Sequence, residues 1–160
     1  MEKTLIIIKP GAVQRGIIGE VISRFEKKGF IISGMKMVWL TDEILREHYS
    51  HLVDGPYFPR IKKSMEACPV ILMCLRGIDV VRVARNMVGV TNGRDAQPGT
   101  IRGDFSVSIS ENIVHASESP EIAEIELARF FNKEEIFEYN PQLLFSLYVA
   151  QELAGEKVAD

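Results

Sequence analysis

Cysteine is scarce in this sequence, and neither sign of charge is in large excess. The two cysteines, Cys68 and Cys74, form neither a CxxC motif nor a disulfide framework, so we expect two reduced, buried thiols. The formal net charge of −3 gives no general attraction to nucleic acid or to an anionic membrane. Any anion that the chain binds must therefore meet a local cluster of basic residues.

Long apolar runs are also missing. The first apolar run, TLIII at 4–8, is far too short for a signal peptide or a membrane span, and Pro10 and Gly11 follow closely. The chain contains no linker, internal repeat or low-complexity tract. With 160 residues, 46% of them apolar, it suits a single domain (1–160) with a substantial core. These features predict a cytoplasmic protein whose partners include neither a membrane nor a specific nucleic acid.

The order of strand-like and helix-like segments indicates the fold class. Apolar runs predict strands at 4–9, 30–40, 70–75 and 112–115. Apolar spacing and the cap residues Thr41, Asp79 and Ser119 predict helices at 17–28, from 42, 58–67, 79–88 and 119–131. This order fits a ferredoxin-like βαββαβ fold of the α/β (α+β) type, with a four-stranded antiparallel sheet and helices on one face. A doubly wound parallel sheet is the rival, but no dinucleotide fingerprint precedes the second strand.

Two short motifs have weak functional meaning. Residues 11–16 have the GxxxxG spacing of a phosphate loop, but Ile17 and Ile18 stand where a lysine and a hydroxyl residue are needed. His48 and His51 are three residues apart and could face a metal from one helix, yet no recognisable zinc ligand set surrounds them. We expect these two histidines to be solvated or to lie at the edge of the core.

The segment 89–105 is the main local candidate for anion binding. It holds five glycines or prolines, and a loop of this length in a compact domain is usually functional or disordered. Arginine side chains can bind phosphate through two parallel hydrogen bonds, and hydroxyl and amide side chains add neutral donors. The segment and the residues just before it carry both kinds: Arg85, Arg94 and Arg102, with Thr91, Asn92 and Thr100 between them. A solvated loop with charge pairs such as Arg94–Asp95 explains the same residues equally well.

His115 follows this loop at the end of a predicted strand. Histidine is the side chain that ordinarily changes charge near neutral pH, so a neutral imidazole could serve here as a nucleophile or base. The pattern alone leaves three interpretations open: a satisfied structural histidine, a metal ligand and a nucleophile.

Three separated segments resemble the nucleoside diphosphate kinase family. They are LIIIKPGAVQRGIIGEVI (5–22), PGTIRGDF (98–105) and NIVHASES (112–119), the last against a family pattern Asn-Ile-Ile-His-Gly-Ser-Asp-Ser. The resemblance extends from about Thr4 to Tyr148. It implies a ping-pong enzyme that moves the γ-phosphate of a nucleoside triphosphate such as ATP to a nucleoside diphosphate through a phosphohistidine, with broad base and sugar specificity.

The resemblance also assigns catalytic roles. His115 becomes the nucleophile, and Glu126 works with Ser117 beside it, while Tyr49 borders the phosphate. Lys9 and Asn112 match residues that reach the ribose hydroxyls and the transferring oxygens. A backbone carbonyl on the other ring nitrogen is expected to fix the tautomer, since only an unprotonated nitrogen attacks phosphorus.

Nucleotide binding is implied in the same way. Arg85, Thr91 and Arg102 match the positions that hold the phosphates in the family, and Lys9 and Asn112 also count among the nucleotide-binding positions. Tyr57 matches the family's aromatic residue that stacks on the base, and Ile61 and Ile109 match the apolar residues next to it. Mg²⁺ is the implied cofactor, held mainly by the nucleotide phosphates, with Glu118 acting through water.

The chain departs from the family pattern at a few positions. Ala116 replaces Gly, Glu118 replaces Asp, Gly55 replaces a basic residue and Gly93 replaces a proline in the long loop. A C-terminal extension, about 149–160, passes the usual end of the family. The changes at 116 and 118, and the frequency of non-catalytic ferredoxin-like domains, keep a second hypothesis open, a non-catalytic nucleotide-binding or scaffold protein on the same fold. A homo-oligomer is implied, a hexamer in preference to a tetramer.

Overall fold

The computed structural model describes residues 1–142 and 144–155, and its centre is one antiparallel sheet. Its strands are β1 (Glu2–Ile8), β2 (Ile31–Val38), β3 (Val70–Gly77) and β4 (Val114–Ala116). Their spatial order is β2-β3-β1-β4, and every neighbouring pair is antiparallel. The ferredoxin-like prediction is confirmed, and the doubly wound parallel sheet is excluded.

The helices fill the connections between these strands. They are α1 (Pro10–Gln14), α2 (Ile18–Lys28), α3 (Asp42–His48), α4 (Phe58–Met65), α5 (Val80–Val88), α6 (Ile101–Phe105), α7 (Pro120–Phe130), α8 (Leu144–Leu147) and α9 (Ala150–Leu153). Single 3-10 turns lie at Ser50–Leu52 and Lys133–Glu135. In the described ranges, none of the helices combines the length and apolar character that crossing a bilayer requires.

Helices cover both faces of the sheet. Ile6 and Ile8 of β1 enter one core with α2 and α5, the two helices of the βαββαβ unit. Leu5 and Ile7 enter a second core with Leu45 of α3, Phe58 of α4 and Leu127 of α7. The expectation of helices on one face therefore holds for α2 and α5, and the additional helices bury the other face. This explains why the runs at β1 and β3 are continuously apolar, although antiparallel strands more often alternate.

The predicted helix starts are partly confirmed. The Thr41 and Ser119 hydroxyls accept hydrogen bonds from the amides of Ile44 and Ile122, and Pro120 takes the first helical position of α7. The prediction that Asp79 caps α5 is wrong. Its backbone is left-handed (φ 51°), its side chain makes no capping bond, and the carboxylate pairs with Arg82 at 2.7 Å. An N-cap side chain needs the extended backbone that Asp79 lacks.

A tight turn places β4 beside the end of β1. The Val114 amide donates to the Asn112 carbonyl at 2.8 Å, across Ile113 with φ 73°, which is a strained conformation for a β-branched residue. The Lys9 amide donates to the Ile113 carbonyl at 2.9 Å. The strand consequently begins at Val114 rather than at Asn112, and the side chains of Lys9 and Asn112 meet.

The segment after α7 folds back along the sheet. The Tyr139 hydroxyl donates to the Ile32 carbonyl at 2.9 Å, and the Arg76 guanidinium donates to the Asn140 side chain at 3.0 Å. The start of the predicted extension (149–160) carries α9, and residues 156–160 lie outside the described residues.

Candidate active site

His115 lies in the middle of β4 and is held by a buried carboxylate from α7. Its Nε2 is 2.9 Å from Oε1 and 3.1 Å from Oε2 of Glu126, and its side chain is 20% exposed. The Ser117 hydroxyl, two residues along the strand, donates to Glu126 Oε2 at 2.6 Å. The group that orients the ring is thus Glu126, and the expectation that a backbone carbonyl does so is wrong. A carboxylate on α7 can reach the ring because α7 packs directly on β1, the neighbour of β4.

The charge state of Glu126 determines the tautomer of His115. Burial by itself raises the pKa of this carboxyl, but the hydrogen bonds from His115 and Ser117 and the nearby imidazoles outweigh burial and hold the pKa below its ordinary value. An ionised carboxylate only accepts, so the neutral imidazole carries its proton on Nε2. Nδ1 then keeps a free lone pair, which is the requirement for nucleophilic attack.

Lys9 and Asn112 form a second polar group near this histidine. Lys9 Nζ donates to Asn112 Oδ1 at 2.6 Å, and Asn112 Nδ2 donates to the carbonyls of Thr91 and Ile109 at 2.9 and 3.0 Å. Burial, and secondarily the charge of Arg102, lowers the pKa of Lys9 to about 8, while Glu111 opposes this effect. The ammonium is therefore charged at neutral pH and close to losing that charge in mild alkali.

Arg102 is fixed by the main chain. Its guanidinium donates to the carbonyls of Gly89 at 2.9 Å, Asn112 at 3.3 Å and Val114 at 2.8 Å. Burial, followed by the charge of Arg85, lowers its pKa to about 10, so it stays charged at neutral pH. Arg85, which is exposed, donates to the Ala116 carbonyl at 3.3 Å.

The long loop does not act as a single cluster. Arg85 and Arg102 approach the strand that carries His115, whereas Arg94 is exposed, and the expected Arg94–Asp95 pair is replaced by a 2.7 Å hydrogen bond from Asn92 to Asp95. The end of the loop is helical, as α6, and Thr100 caps that helix. The glycine-rich composition of this segment predicted a loop and gave no sign of α6 or of its cap at Thr100.

Two cavities meet at Tyr49. The larger cavity, of about 600 Å³, is lined by seven of the predicted nucleotide-site and catalytic residues: Lys9, Tyr49, Tyr57, Ile61, Thr91, Ile109 and Asn112. Tyr57 is 61% exposed and Ile109 is 54% exposed, so both offer apolar surface to an incoming ring. The smaller cavity, of about 380 Å³, is lined in part by His48, Tyr49, His115, Glu118 and Glu126.

His48 is the site residue that sequence reasoning missed. It is buried, against the expectation of a solvated or edge histidine, whereas His51 is exposed as expected. Its ring centroid is 4.9 Å from that of His115, and its Nδ1 is 3.7 Å from Glu126 Oε1. Burial, and next the proximity of His115, lowers the pKa of His48 to about 3, so the ring is neutral. Glu126, the carboxylate next to His48, lies far away in the sequence, so the spacing of residues around His48 gave no signal of this contact.

The backbone explains two departures from the family pattern, Ala116 in place of Gly and Gly93 in place of Pro. Among the described residues other than glycine, only Asp79 and Ile113 have positive φ, so position 116 does not require glycine. The Ala116 carbonyl still accepts a hydrogen bond from Arg85. The Gly93 amide donates to the Ser108 carbonyl at 3.1 Å, and a Cβ at 93 would lie 2.4 Å from the Ser106 carbonyl oxygen. The path of this loop therefore requires glycine and excludes proline.

Phosphoryl transfer requires cations that gather phosphate oxygens and a nucleophile with a free lone pair, and this site has both. The class of protein that the fold and the site define is a phosphotransferase.

Comparison with known proteins identifies the family. The model of the nucleoside diphosphate kinase family matches residues 2–136. The nucleoside diphosphate kinase of Parabacteroides distasonis is 62% identical over 152 residues, which cover 95% of this chain and 99% of the relative. That of Pyrococcus horikoshii is 50% identical over 86% of this chain and 90% of the relative. A solved nucleoside diphosphate kinase of Halobacterium salinarum in complex with CDP superimposes with a TM-score of 0.90 at 35% identity, covering 92% of this chain and 98% of that one. The chain belongs to the nucleoside diphosphate kinase family.

The neutral state of His48 predicts a pH-dependent stability. The folded ring takes up a proton only near pH 3, whereas an unfolded histidine does so near pH 6.5. Between these values the unfolded chain binds more protons, so stability is lost as the pH falls. In urea unfolding at fixed protein concentration, His48 should lower the free energy of unfolding by up to about 1.4 kcal/mol per pH unit below pH 6.

The control isolates His48 from the carboxylates that titrate in the same range. His48→Gln should show a shallower loss of stability between pH 6 and 4, whereas His51→Gln, at an exposed position, should follow the parent. Equal slopes for all three proteins would contradict the assignment.

Proposed function

We propose that this chain transfers the γ-phosphoryl group of a nucleoside triphosphate such as ATP to a nucleoside diphosphate, by a ping-pong route through phospho-His115. The observation that supports this most directly is the hydrogen bond from His115 Nε2 to Glu126, which leaves Nδ1 with a free lone pair. The changes at Ala116 and Glu118, which favoured a non-catalytic scaffold, leave this hydrogen bond in place.

In the first half of the reaction, His115 Nδ1 attacks the γ-phosphorus. An N–P bond forms, the bond between that phosphorus and the β–γ bridging oxygen breaks, and the nucleoside diphosphate leaves with the electron pair. The ring gains positive charge as the bond forms, and Glu126 stabilises it through the proton on Nε2. Ser117 keeps the carboxylate in place by donating to its other oxygen.

In the second half, a terminal phosphate oxygen of an acceptor diphosphate attacks the phosphohistidine. The P–O bond forms, the N–P bond breaks and Nδ1 regains its lone pair. Donor and acceptor use the same site in turn, because the bound diphosphate is the product of one half and the substrate of the other.

The phosphates and sugar are assigned to the cationic and amide groups near β4. Arg85, Thr91 and Arg102 bind the phosphates, while Lys9 and Asn112 reach the ribose hydroxyls and the transferring oxygens. Three of Arg102's donors are engaged by carbonyls, so its charge is positioned before the nucleotide arrives, which favours transition-state stabilisation without reorganisation. Tyr49 borders the phosphate, which is supported by its place between the two cavities.

The base is proposed to lie between Tyr57 and the side chains of Ile61 and Ile109 in the larger cavity. Stacking on an exposed aromatic ring tolerates any base, because every base has a π-face. This arrangement supports broad specificity for base and sugar.

Mg²⁺ fits the site only through the nucleotide. Magnesium prefers oxygen ligands and retains several waters, and the metal-competent cluster found among the described residues is nitrogen-rich: His48, His115 and Glu126. Glu118, an exposed carboxylate beside His115 in the smaller cavity, is the residue that would hold the ion's water shell. Bound with the phosphates, Mg²⁺ would neutralise their negative charge.

Assembly and compartment complete the proposal. We propose a homo-oligomer, because the edge strand β2 exposes Met35 and Met37, and Trp39 directly after it, by more than half. The preference for a hexamer over a tetramer rests on the family resemblance. A cytoplasmic location is supported by Cys68 and Cys74, which are unpaired, and cell fractionation would check it.

The nucleophile can be tested by labelling. Incubation with γ-³²P ATP should give an acid-labile, base-stable phosphoprotein, and His115→Asn should abolish it, while the exposed control His51→Asn keeps it. Unlabelled ADP, GDP, CDP and dTDP should each discharge the label as the triphosphate, because the base is held by stacking. Labelling that survives His115→Asn would exclude this residue as the phosphate carrier.

The lowered pKa of Lys9 predicts an alkaline limb in the pH profile. The value of about 8 means that the ammonium is charged below this pH and neutral above it. Because kcat/KM reports the free enzyme, it should fall as the pH rises through about 8. Lys9→Met should lower kcat/KM by about 10² and remove this limb, and Lys9→Arg should move the limb out of the range. The matched control Lys63→Met, at an exposed position, should keep the limb; a limb that persists in Lys9→Met belongs to another group.

The assembly can be tested by light scattering. We expect a mass of about six chains, and the double variant Met35→Lys/Met37→Lys should shift it downward because it places charge on the exposed edge strand. A monomeric parent protein would refute the homo-oligomer.

A further inference from the structure

His48, His115 and Glu126 form a cluster whose donor set suits a transition metal. One ligand atom from each lies within 4.8 Å of the other two, and two imidazoles with one carboxylate are a known zinc ligand set. We propose that this cluster binds a borderline-soft divalent transition-metal ion, Zn²⁺ in particular, and that the bound ion switches the enzyme off. This site is separate from the one for Mg²⁺, which prefers oxygen ligands.

The two distances to Glu126 are already close to those of a zinc site, and all three ligand atoms lie within 4.8 Å of one another. In a tetrahedral zinc site the ligand atoms lie roughly 3.4 Å apart. His115 Nε2 and Glu126 Oε1 are 2.9 Å apart, and Glu126 Oε1 is 3.7 Å from His48 Nδ1, so these pairs bracket that value. The His48 Nε2 atom is buried and has no hydrogen-bond partner, so the ring is not locked by bonds at both nitrogens. The ring can therefore adjust to a metal without losing a bond at Nε2.

The smaller cavity offers an entry route for the ion. The smaller cavity, of about 380 Å³, reaches all three cluster residues, and its walls also carry Glu47, His51 and Glu118. In a zinc site with three protein ligands water fills the fourth position, so none of these three wall residues is needed as a ligand.

Arg129 opposes metal binding and supplies a second means of testing it. Its Nη1 is 3.3 Å from His48 Nδ1, and its Nε donates to the exposed carboxylate of Glu47 at 2.8 Å. A dication in the cluster would be repelled by this guanidinium, which would have to move with Glu47 into the smaller cavity. Removing the Arg129 charge should therefore strengthen binding, the opposite of removing a ligand.

Inhibition follows from the tautomer of His115. In the free enzyme the proton lies on Nε2, bonded to Glu126, and Nδ1 is the nucleophile. A metal on Nε2 takes that position, and the proton of the neutral ring moves to Nδ1. The lone pair that would attack phosphorus is then lost, with no net release of a proton. This consequence rests on the proposed function, but metal binding can be measured without any nucleotide.

Binding is tested first with metal alone. Calorimetric titration of the full-length, nucleotide-free protein with Zn²⁺ should give one ion per chain, and Co²⁺ should give the intense visible absorption of a tetrahedral site. His48→Gln should weaken Zn²⁺ binding at least tenfold, Arg129→Met should strengthen it by about tenfold, and His51→Gln should change it little. Circular dichroism checks that each variant is folded.

Phosphoenzyme formation is then measured with Zn²⁺ added. With Mg²⁺ present throughout, we expect parent labelling by γ-³²P ATP to fall as the site fills and to return with a zinc-selective chelator. In His48→Gln the same loss of labelling should need at least tenfold more Zn²⁺. No stoichiometric binding, or equal affinity in the parent and His48→Gln, would overturn the site. Stoichiometric binding that leaves labelling unchanged would overturn the inhibition alone, whereas a parent protein that is not labelled in zinc-free buffer containing Mg²⁺ would count against the proposed function.

Discussion

The hydrogen bond between His115 Nε2 and Glu126 is the interaction on which the rest of the site depends. It joins a short edge strand to α7, and it can form because α7 packs on β1, the strand that pairs with β4. The ionised carboxylate selects the tautomer and so decides which nitrogen can react. Ser117 supports the same carboxylate, and the burial of Ser117 and Glu126 limits competition from water for these bonds.

The cationic side of the site is built by the backbone. The strained turn at Ile113 aims the carbonyls of Asn112 and Val114 at Arg102, and the main-chain bond from Lys9 to Ile113 brings the lysine to Asn112. Strain of this kind persists only where the surrounding structure compensates for it. Because the net charge is −3, the protein can bind an anion only where basic residues cluster. The backbone creates such a cluster at one end of the sheet.

The sheet explains both the success of the fold prediction and its incomplete part. The strands and their order along the chain could be predicted because apolar runs and turn residues are local signals. Coverage of the second face was not predicted, since the placement of α3, α4 and α7 depends on contacts between distant segments. Asp79 shows the same limit at one residue, because a favourable cap residue does not cap when the backbone is left-handed.

By itself, the sequence determined the ferredoxin-like order of elements, the Ser119–Pro120 start of α7 and the motifs that carry the family resemblance, all of which depend on residues close together in the chain. The family resemblance already placed Glu126 and Ser117 beside His115. Only the tertiary structure decided that Glu126 bonds Nε2 of the ring, that Arg102 is held by three carbonyls and that His48 is buried beside His115. These pairings join residues from different elements and loops of the fold. Spacing and propensity act over a few residues, whereas such contacts exist only after helices have packed on the sheet.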